Sequence, residues 1–242
     1  MKAMIFAAGL GTRLKPFTDN MPKAMIPIAG KPLLEHVISK LIAAGFDEII
    51  VNVHHFADQI VDFLAENNNF GIRIEISDER EMLLETGGGI KKAAAFFDDG
   101  QPFLVHNVDI LSDIDLKAFY QNHIDKKALA SLLVSERLTS RYLLFDKENK
   151  LQGWVNEKTG ETKSPLTNFN PALYNKYAFA GIHVLSPAIF EFMADWNGKF
   201  SIIDFYLSIA DKATVQGYCP NSLHMIDVGK LDSLEAAEAF VK

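Results

Sequence analysis

Residues 8–14 read Ala-Gly-Leu-Gly-Thr-Arg-Leu, and after Arg13 a second cation, Lys23, follows on a stretch framed by Pro16 and Pro22. Small residues let successive backbone N–H groups approach anionic oxygens closely. On the glycines alone, a plain turn after a buried strand fits as well as a phosphate cradle, and each cation taken singly reads as a solvated surface charge. Together, a glycine loop followed by a guanidinium and an ammonium has what is needed to neutralise a triphosphate and a pyrophosphate leaving group. Two better-known phosphate loops do not match. The dinucleotide fingerprint needs a third glycine where Leu14 stands, and the P-loop needs Gly-Lys-Ser/Thr, which is absent.

Two acids follow apolar runs: Asp109 after Phe103-Leu104-Val105, and Asp227 after Met225-Ile226. Carboxylates at the ends of separate strands suit Mg²⁺, which prefers oxygen ligands and keeps positions for water and phosphate. An Asp closing a strand is as often a turn residue or helix cap, so on the residues alone both readings stand. Asp113 and Asp115 fit a helix start ahead of Leu116. The seven histidines pair with no nucleophile, and His54, His55 and His106, at strand ends, read as hydrogen-bonded structural residues.

Elements must bring these groups to one rim. Apolar runs at Met1–Gly9, Ile49–Val53, Ile72–Ile76 and Phe103–His106 alternate with segments of helical period at Leu33–Ala44, Phe56–Asn67 and Gly89–Phe97. That alternation predicts an α/β protein with a mostly parallel central sheet flanked by helices, a single domain over 1–242. Gly45 is placed to end the first helix. Right-handed crossovers put strand C-termini and helix N-termini on one edge, where ligands of open α/β sheets bind. In the second half, Leu129–Val134, Tyr142–Phe145 and Tyr177–Val184 read as strands, Pro187 as the first turn of a short helix, and Asn156–Asn175 as a long polar loop suited to a lid.

With 24 basic against 31 acidic residues there is no basic stripe to track a nucleic acid. The single Cys219 fits a reducing cytoplasm. No run approaches the ~20 apolar residues of a membrane span, and the short opening run, which leads straight into a glycine turn, is read as a first strand rather than a signal peptide.

The string Ala8-Gly9-Leu10-Gly11-Thr12-Arg13-Leu14-Lys15-Pro16, then Pro22-Lys23-Ala24-Met25-Ile26-Pro27, then Gly30-Lys31-Pro32-Leu33-Leu34, resembles the sugar-1-phosphate nucleotidyltransferases. Leu84-Glu85-Thr86-Gly87-Gly88-Gly89-Ile90 is similar to the branch of uridylyltransferases acting on N-acetylmuramic acid 1-phosphate. Thinner similarity runs through Asn107-Val108-Asp109, Phe179-Ala180-Gly181-Ile182 and Ile226-Asp227-Val228-Gly229. The resemblance implies a Rossmann-like nucleotidyltransferase fold and an enzyme joining an NTP, UTP by the second string, to a sugar 1-phosphate. It implies that Ala8, Gly9, Gly11, Thr12, Arg13, Glu81 and Gly88 bind the nucleotide, and that Arg13 and Lys23 act in catalysis. It further implies that Asp109 and Asp227 hold Mg²⁺, and that Asn107, Glu157, Lys158 and Gly181 meet the sugar phosphate, with Lys163 as an alternative to Lys158. Guanylyl transfer to mannose or heptose 1-phosphate, cytidylyl transfer to a phosphorylated amino alcohol, and a binding module without turnover are the competing readings. Asn107-Val108-Asp109 departs from the Asn-Gly-Asp usual in relatives, placing a valine where a ligand would meet bare backbone.

Overall fold

The computed structural model describes residues 1–242. The opening apolar run forms β1 (Lys2–Phe6) inside a ten-stranded sheet. Its side chains alternate between two cores: Ala3 and Ile5 join one face, Met4 the other, as the two-residue period of a strand requires. After the glycine loop, a small hairpin of β2 (Pro27–Ile28) and β3 (Lys31–Pro32) leads into α1 (Leu33–Ala43). Leu33, Leu34, Val37, Ile38 and Leu41 form the buried stripe of α1, each side chain contributing about 1.5–3 kcal/mol of transfer free energy. The helix stops at Ala44, and Gly45 takes φ 90°, the left-handed turn expected of a residue just past a helix end.

Next come β4 (Glu48–Val53), α2 (Ala57–Glu66), β5 (Arg73–Asp78), α3 (Glu85–Lys92) and β6 (Phe103–Asn107). Parallel pairing gives the order β6-β1-β4-β5, so β1, β4 and β6 all end on one rim at Phe6, Val53 and Asn107. The central strands are apolar on both faces because helices or loops cover both.

The second half is mixed. It contains β7 (Ile110–Ser112), α4 (Leu116–Lys126), β8 (Ala130–Ser135), β9 (Arg141–Phe145), β10 (Leu151–Asn156), β11 (Glu161–Lys163) and β12 (Asn175–Leu185). The chain closes with α5 (Ile189–Phe192), α6 (Ile202–Ile209), β13 (Val215–Tyr218), β14 (Met225–Asp227) and α7 (Ser233–Phe240). The long β12 runs antiparallel to β6, β8 and β9 in turn. Its register with β8 shifts between Phe179 and His183, where Gly181 adopts φ 74°. β14 lies off the main sheet, antiparallel to β7.

Some elements differ from the sequence expectation. α3 begins at Glu85 rather than Gly89, so all three glycines lie inside the helix. Glycine is a poor helix former, and here close packing outweighs that: a Cβ on Gly87 would stand 2.3 Å from the Phe200 ring, and one on Gly88 2.4 Å from the Gly198 carbonyl. The stretch 156–175 is not one loop, since Glu161–Lys163 pairs back onto β10. That hairpin is polar on its exposed strand, which hides it from an apolar pattern. Pro187 falls just before Ala188, the N-cap of α5, rather than in its first turn. Asp115 caps α4, its carboxylate accepting from the Ala118 N–H at 2.9 Å.

Candidate active site

The glycine loop leaves β1 under tight control. Asn52, at the end region of β4, turns its Oδ1 toward the loop and accepts from Ala7 N–H at 2.7 Å and Ala8 N–H at 3.2 Å. Further on, Gly11 has φ 63°, its carbonyl accepts from the Thr18 hydroxyl at 2.9 Å, and a Cβ there would stand 2.8 Å from Thr18 Cγ2 and 3.2 Å from Lys23 Cβ. Glycine is therefore required twice over at this point, for the left-handed backbone and for the close approach that folds Lys23 back against the loop.

Lys23 is buried, and its ammonium donates to Asp109 Oδ2. Asp109 follows β6, and its carbonyl accepts from Val228 N–H at 2.8 Å. This bond extends the β7–β14 ladder, in which Asp227 faces Ile110, so the two acids come from chain segments that touch. Gly229 sits beside Asp227 and Arg13: a Cβ on it would lie 2.6 Å from Asp227 Oδ1 and 3.1 Å from Arg13 Nη2. Bare backbone at residue 229 lets a guanidinium and a carboxylate share that corner.

These groups line two adjoining clefts. The larger, of about 510 Å³, is lined by Ala8, Gly9, Gly11, Thr12, Arg13, Lys23, Asn107 and Asp109 among the expected residues, together with Val108, Leu83, Glu85 and Thr86. The smaller, of about 320 Å³, contains Arg13, Asp227 and Gly229 with Arg137 and Lys230. Gly181 backs Asn107, since a Cβ there would reach within 2.7 Å of its Nδ2. Val108 is nearly buried and belongs to the core as well as the cleft wall. Its N–H donates to the Phe6 carbonyl at 3.1 Å, tying the floor of the cleft to β1.

The remaining expected residues stand elsewhere. Glu81 is exposed and lines neither cleft. Gly88 is buried in α3 against Gly198. Glu157 pairs with Lys176 at 2.8 Å, Lys158 lies exposed in the turn after β10, and Lys163 bridges to Asp204 at 2.9 Å with its ammonium over the Trp154 ring. None of these three reaches the cleft lining. Of the histidines, His54 bonds the Glu79 carbonyl through Nδ1 at 2.7 Å. His106 is buried, and burial pushes it down to about 4.

Sequence reading missed Asn52 and Glu79. Glu79 is a buried carboxylate that accepts from Asn52 Nδ2 at 2.8 Å and from Leu84 N–H at 2.9 Å. The only signal available was polar residues interrupting apolar strands, which becomes meaningful once β4 and β5 are paired.

A glycine loop, two cations and two acids on the carboxyl edge of a parallel sheet define an α/β protein built to handle phosphate groups. The chain belongs to the nucleotidyl transferase family, which matches residues 2–242. It is 35% identical to the N-acetylmuramate alpha-1-phosphate uridylyltransferase of Caulobacter vibrioides, over 98% of this chain and 95% of that one. It is 32% identical to the UTP–glucose-1-phosphate uridylyltransferase of Synechocystis, covering 96% of this chain and 61% of that longer protein. Among solved structures, HddC from Yersinia pseudotuberculosis, complexed with GMP-PN, superposes with a TM-score of 0.77 at 25% identity, covering 100% of this chain and 99% of HddC.

Proposed function

We propose that this protein transfers UMP from UTP to a sugar 1-phosphate, N-acetylmuramic acid 1-phosphate or a related hexose 1-phosphate, releasing pyrophosphate. One observation carries the reading: the Gly9–Arg13 backbone, the Lys23 ammonium and the Asp109 carboxylate converge on a single cleft of about 510 Å³. The near full-length similarity to an N-acetylmuramate alpha-1-phosphate uridylyltransferase supports the choice of base and sugar.

In this reading the loop N–H groups and Arg13 hold the triphosphate. An oxygen of the sugar phosphate attacks the α-phosphorus, a new P–O bond forms, and the bond from the α-phosphorus to the bridging oxygen breaks. The electron pair leaves with pyrophosphate, whose growing charge Arg13 and Lys23 oppose. The dianionic acceptor needs no proton removed, in keeping with a cleft whose lining contains no histidine.

Asp109 and Asp227 fit Mg²⁺. Both offer oxygen donors, their segments are joined by the Val228-to-Asp109 bond, and the Lys23 ammonium on Asp109 marks a place where a cation is favoured. Asp109 lines the larger cleft and Asp227 the smaller, and the two clefts share Arg13 and Gly229, so an ion between them would take its other positions from water and phosphate oxygens. When bound, Mg²⁺ would draw charge from those oxygens as the leaving group departs.

The test is a matrix of UTP, GTP, CTP and dTTP against N-acetylmuramic acid, N-acetylglucosamine, glucose, mannose and heptose 1-phosphates, read as pyrophosphate release with and without Mg²⁺. Highest kcat/KM for UTP with N-acetylmuramic acid 1-phosphate is expected. Preference for GTP, the base type in the HddC complex, would move the reading to guanylyl transfer. Triphosphate binding without release in any cell of the matrix would leave only a binding module.

A further inference from the structure

We infer that Asn52 and Glu79 form a buried positioning relay that sets the nucleotide affinity of the glycine loop by fixing the two banks of the cleft against each other. The inference rests on the reading that this loop holds the triphosphate. On one bank, Asn52 Oδ1 accepts from Ala7 and Ala8 N–H, the last two amides before Gly9. On the other, Glu79 Oε2 accepts from Leu84 N–H, between the cleft-lining Leu83 and the start of α3 with Glu85 and Thr86. Between the banks, Asn52 Nδ2 donates to Glu79 Oε1 at 2.8 Å.

The polarity of this chain of bonds is forced at both ends. Backbone amides can only donate, so Asn52 must present its carbonyl oxygen to the loop and therefore its NH₂ to Glu79. Leu84 N–H likewise demands an acceptor, so both Glu79 oxygens are committed. Glu79 itself cannot drift. Its N–H donates to the Val53 carbonyl at 2.8 Å, and its carbonyl is held by His54 Nδ1 and by Met82 N–H at 3.1 Å. Asn52 and Glu79 are 2% and 1% exposed, so water cannot substitute for a lost partner.

A separate feature shows that the space over the relay is reserved. A Cβ on Gly89 would lie 2.9 Å from Glu79 Oε1, 3.3 Å from Asn52 Nδ2 and 3.1 Å from the Phe6 ring. The third glycine of the Gly87-Gly88-Gly89 string lets α3 close down on the pair. Neither Asn52 nor Glu79 bonds any charged group of the cleft. Asn52 also lines the larger cleft, while Glu79 does not; the effect of Glu79 passes through Asn52 and the 83–86 segment, and that of Asn52 through the loop amides it holds.

The test is a polarity swap. Asn52→Asp keeps an acceptor for the loop but sets a carboxylate against Glu79. Glu79→Gln places an amide that satisfies either Asn52 or Leu84 N–H in the original pattern but not both without rearrangement. In the double variant the new carboxylate at 52 accepts from the new amide at 79, whose oxygen still serves Leu84, so every bond has a donor and an acceptor again. UTP affinity of the full-length protein is measured by titration calorimetry, alongside KM for both substrates and thermal unfolding.

Asn52→Asp is expected to weaken UTP binding by about 10- to 100-fold and Glu79→Gln by a few-fold. The KM for the sugar 1-phosphate should move less than about twofold, and the double variant should return to within about threefold of wild type. Gly89→Ala should raise the UTP KM in the same direction. Unchanged UTP affinity in Asn52→Asp, equal losses for both substrates, or a double variant no better than Asn52→Asp would overturn the relay. Should Asn52→Asp fail to fold, the double variant still decides, because the relay requires it to fold and bind UTP. If wild type binds none of the four triphosphates, the reading of the loop fails instead, which separates the two ideas.

Discussion

Lys23→Ala is the sharpest probe of the proposed chemistry. The side chain is 9% exposed and its ammonium sits on Asp109, itself 21% exposed, so removal deletes a cation from the leaving-group side and leaves a carboxylate facing that cavity. Loss of one preorganised donor at developing charge commonly costs ~2.7 kcal/mol or more of barrier, which at ~1.36 kcal/mol per decade is a fall of about 100-fold in kcat. The folding cost should be on the order of 1–3 kcal/mol, since a buried stem is lost while Asp109 keeps partial contact with water and can relax toward it. The assay is steady-state pyrophosphate release at saturating substrates, with urea unfolding in parallel. Lys23→Arg should recover only part of the rate, since a planar fork on a longer stem does not reproduce a compact point charge in a buried slot. A Lys23→Ala enzyme within about threefold of wild-type kcat would refute the argument, as would a rate loss matched by wholesale unfolding.

Asp109→Ala should lower turnover by at least about 100-fold and weaken the dependence of rate on added Mg²⁺, whereas Asp113→Ala, on the exposed His224 contact, should keep turnover near normal. Gly11→Ala imposes a left-handed alanine, costing about 1–2 kcal/mol, as well as the 2.8 Å approach to Thr18; reduced triphosphate binding with a lower urea midpoint is expected, and tight binding at an unchanged midpoint would count against the loop geometry. Gly87→Ala meets the Phe200 ring at 2.3 Å and should destabilise by about 1–3 kcal/mol, seen as a shifted midpoint at constant m-value. Burial lowers His106 and His123 to about 4 and His183 to about 3. Folded pKa values below the unfolded one mean that the unfolded chain takes up protons first, so stability present above pH ~6.5 should decline as pH falls toward about 4, by on the order of 2 kcal/mol per histidine at pH 5. Equal urea midpoints at pH 7 and pH 5 would contradict this.

What could be read from the residues follows from how local each signal is. The loop, Arg13 and Lys23 lie within one short stretch, and Asp109 ends an apolar run, so type and spacing sufficed to single them out. The parallel half was legible because β1, β4 and β6 are buried on both faces and the intervening α1 and α2 carry helical stripes. Asn52 and Glu79 were not legible, since their contact depends on β4 and β5 pairing with Asn52 opposite Ser77. Gly87 to Gly89 answer a packing demand that the sequence does not display: their missing side chains admit Phe200, Gly198 and Glu79. The β10–β11 hairpin escaped because β11, Glu-Thr-Lys, is exposed throughout.

The small β7–β14 ladder has a consequence for how this molecule comes to life. Asp227 and Gly229 reach Arg13 only after β14 has found β7, and α7 adds a clasp where Glu238 accepts from Ala29 N–H at 3.3 Å. The strands β1, β4, β5 and β6 all lie within the first 107 residues, so a chain emerging from the ribosome holds them before β14 is made. Its reactive corner stays open until the late segment returns across the fold, and such distant closures form slowly. Growing chains therefore carry the strands of the parallel half before Asp227 and Gly229 can arrive beside Arg13.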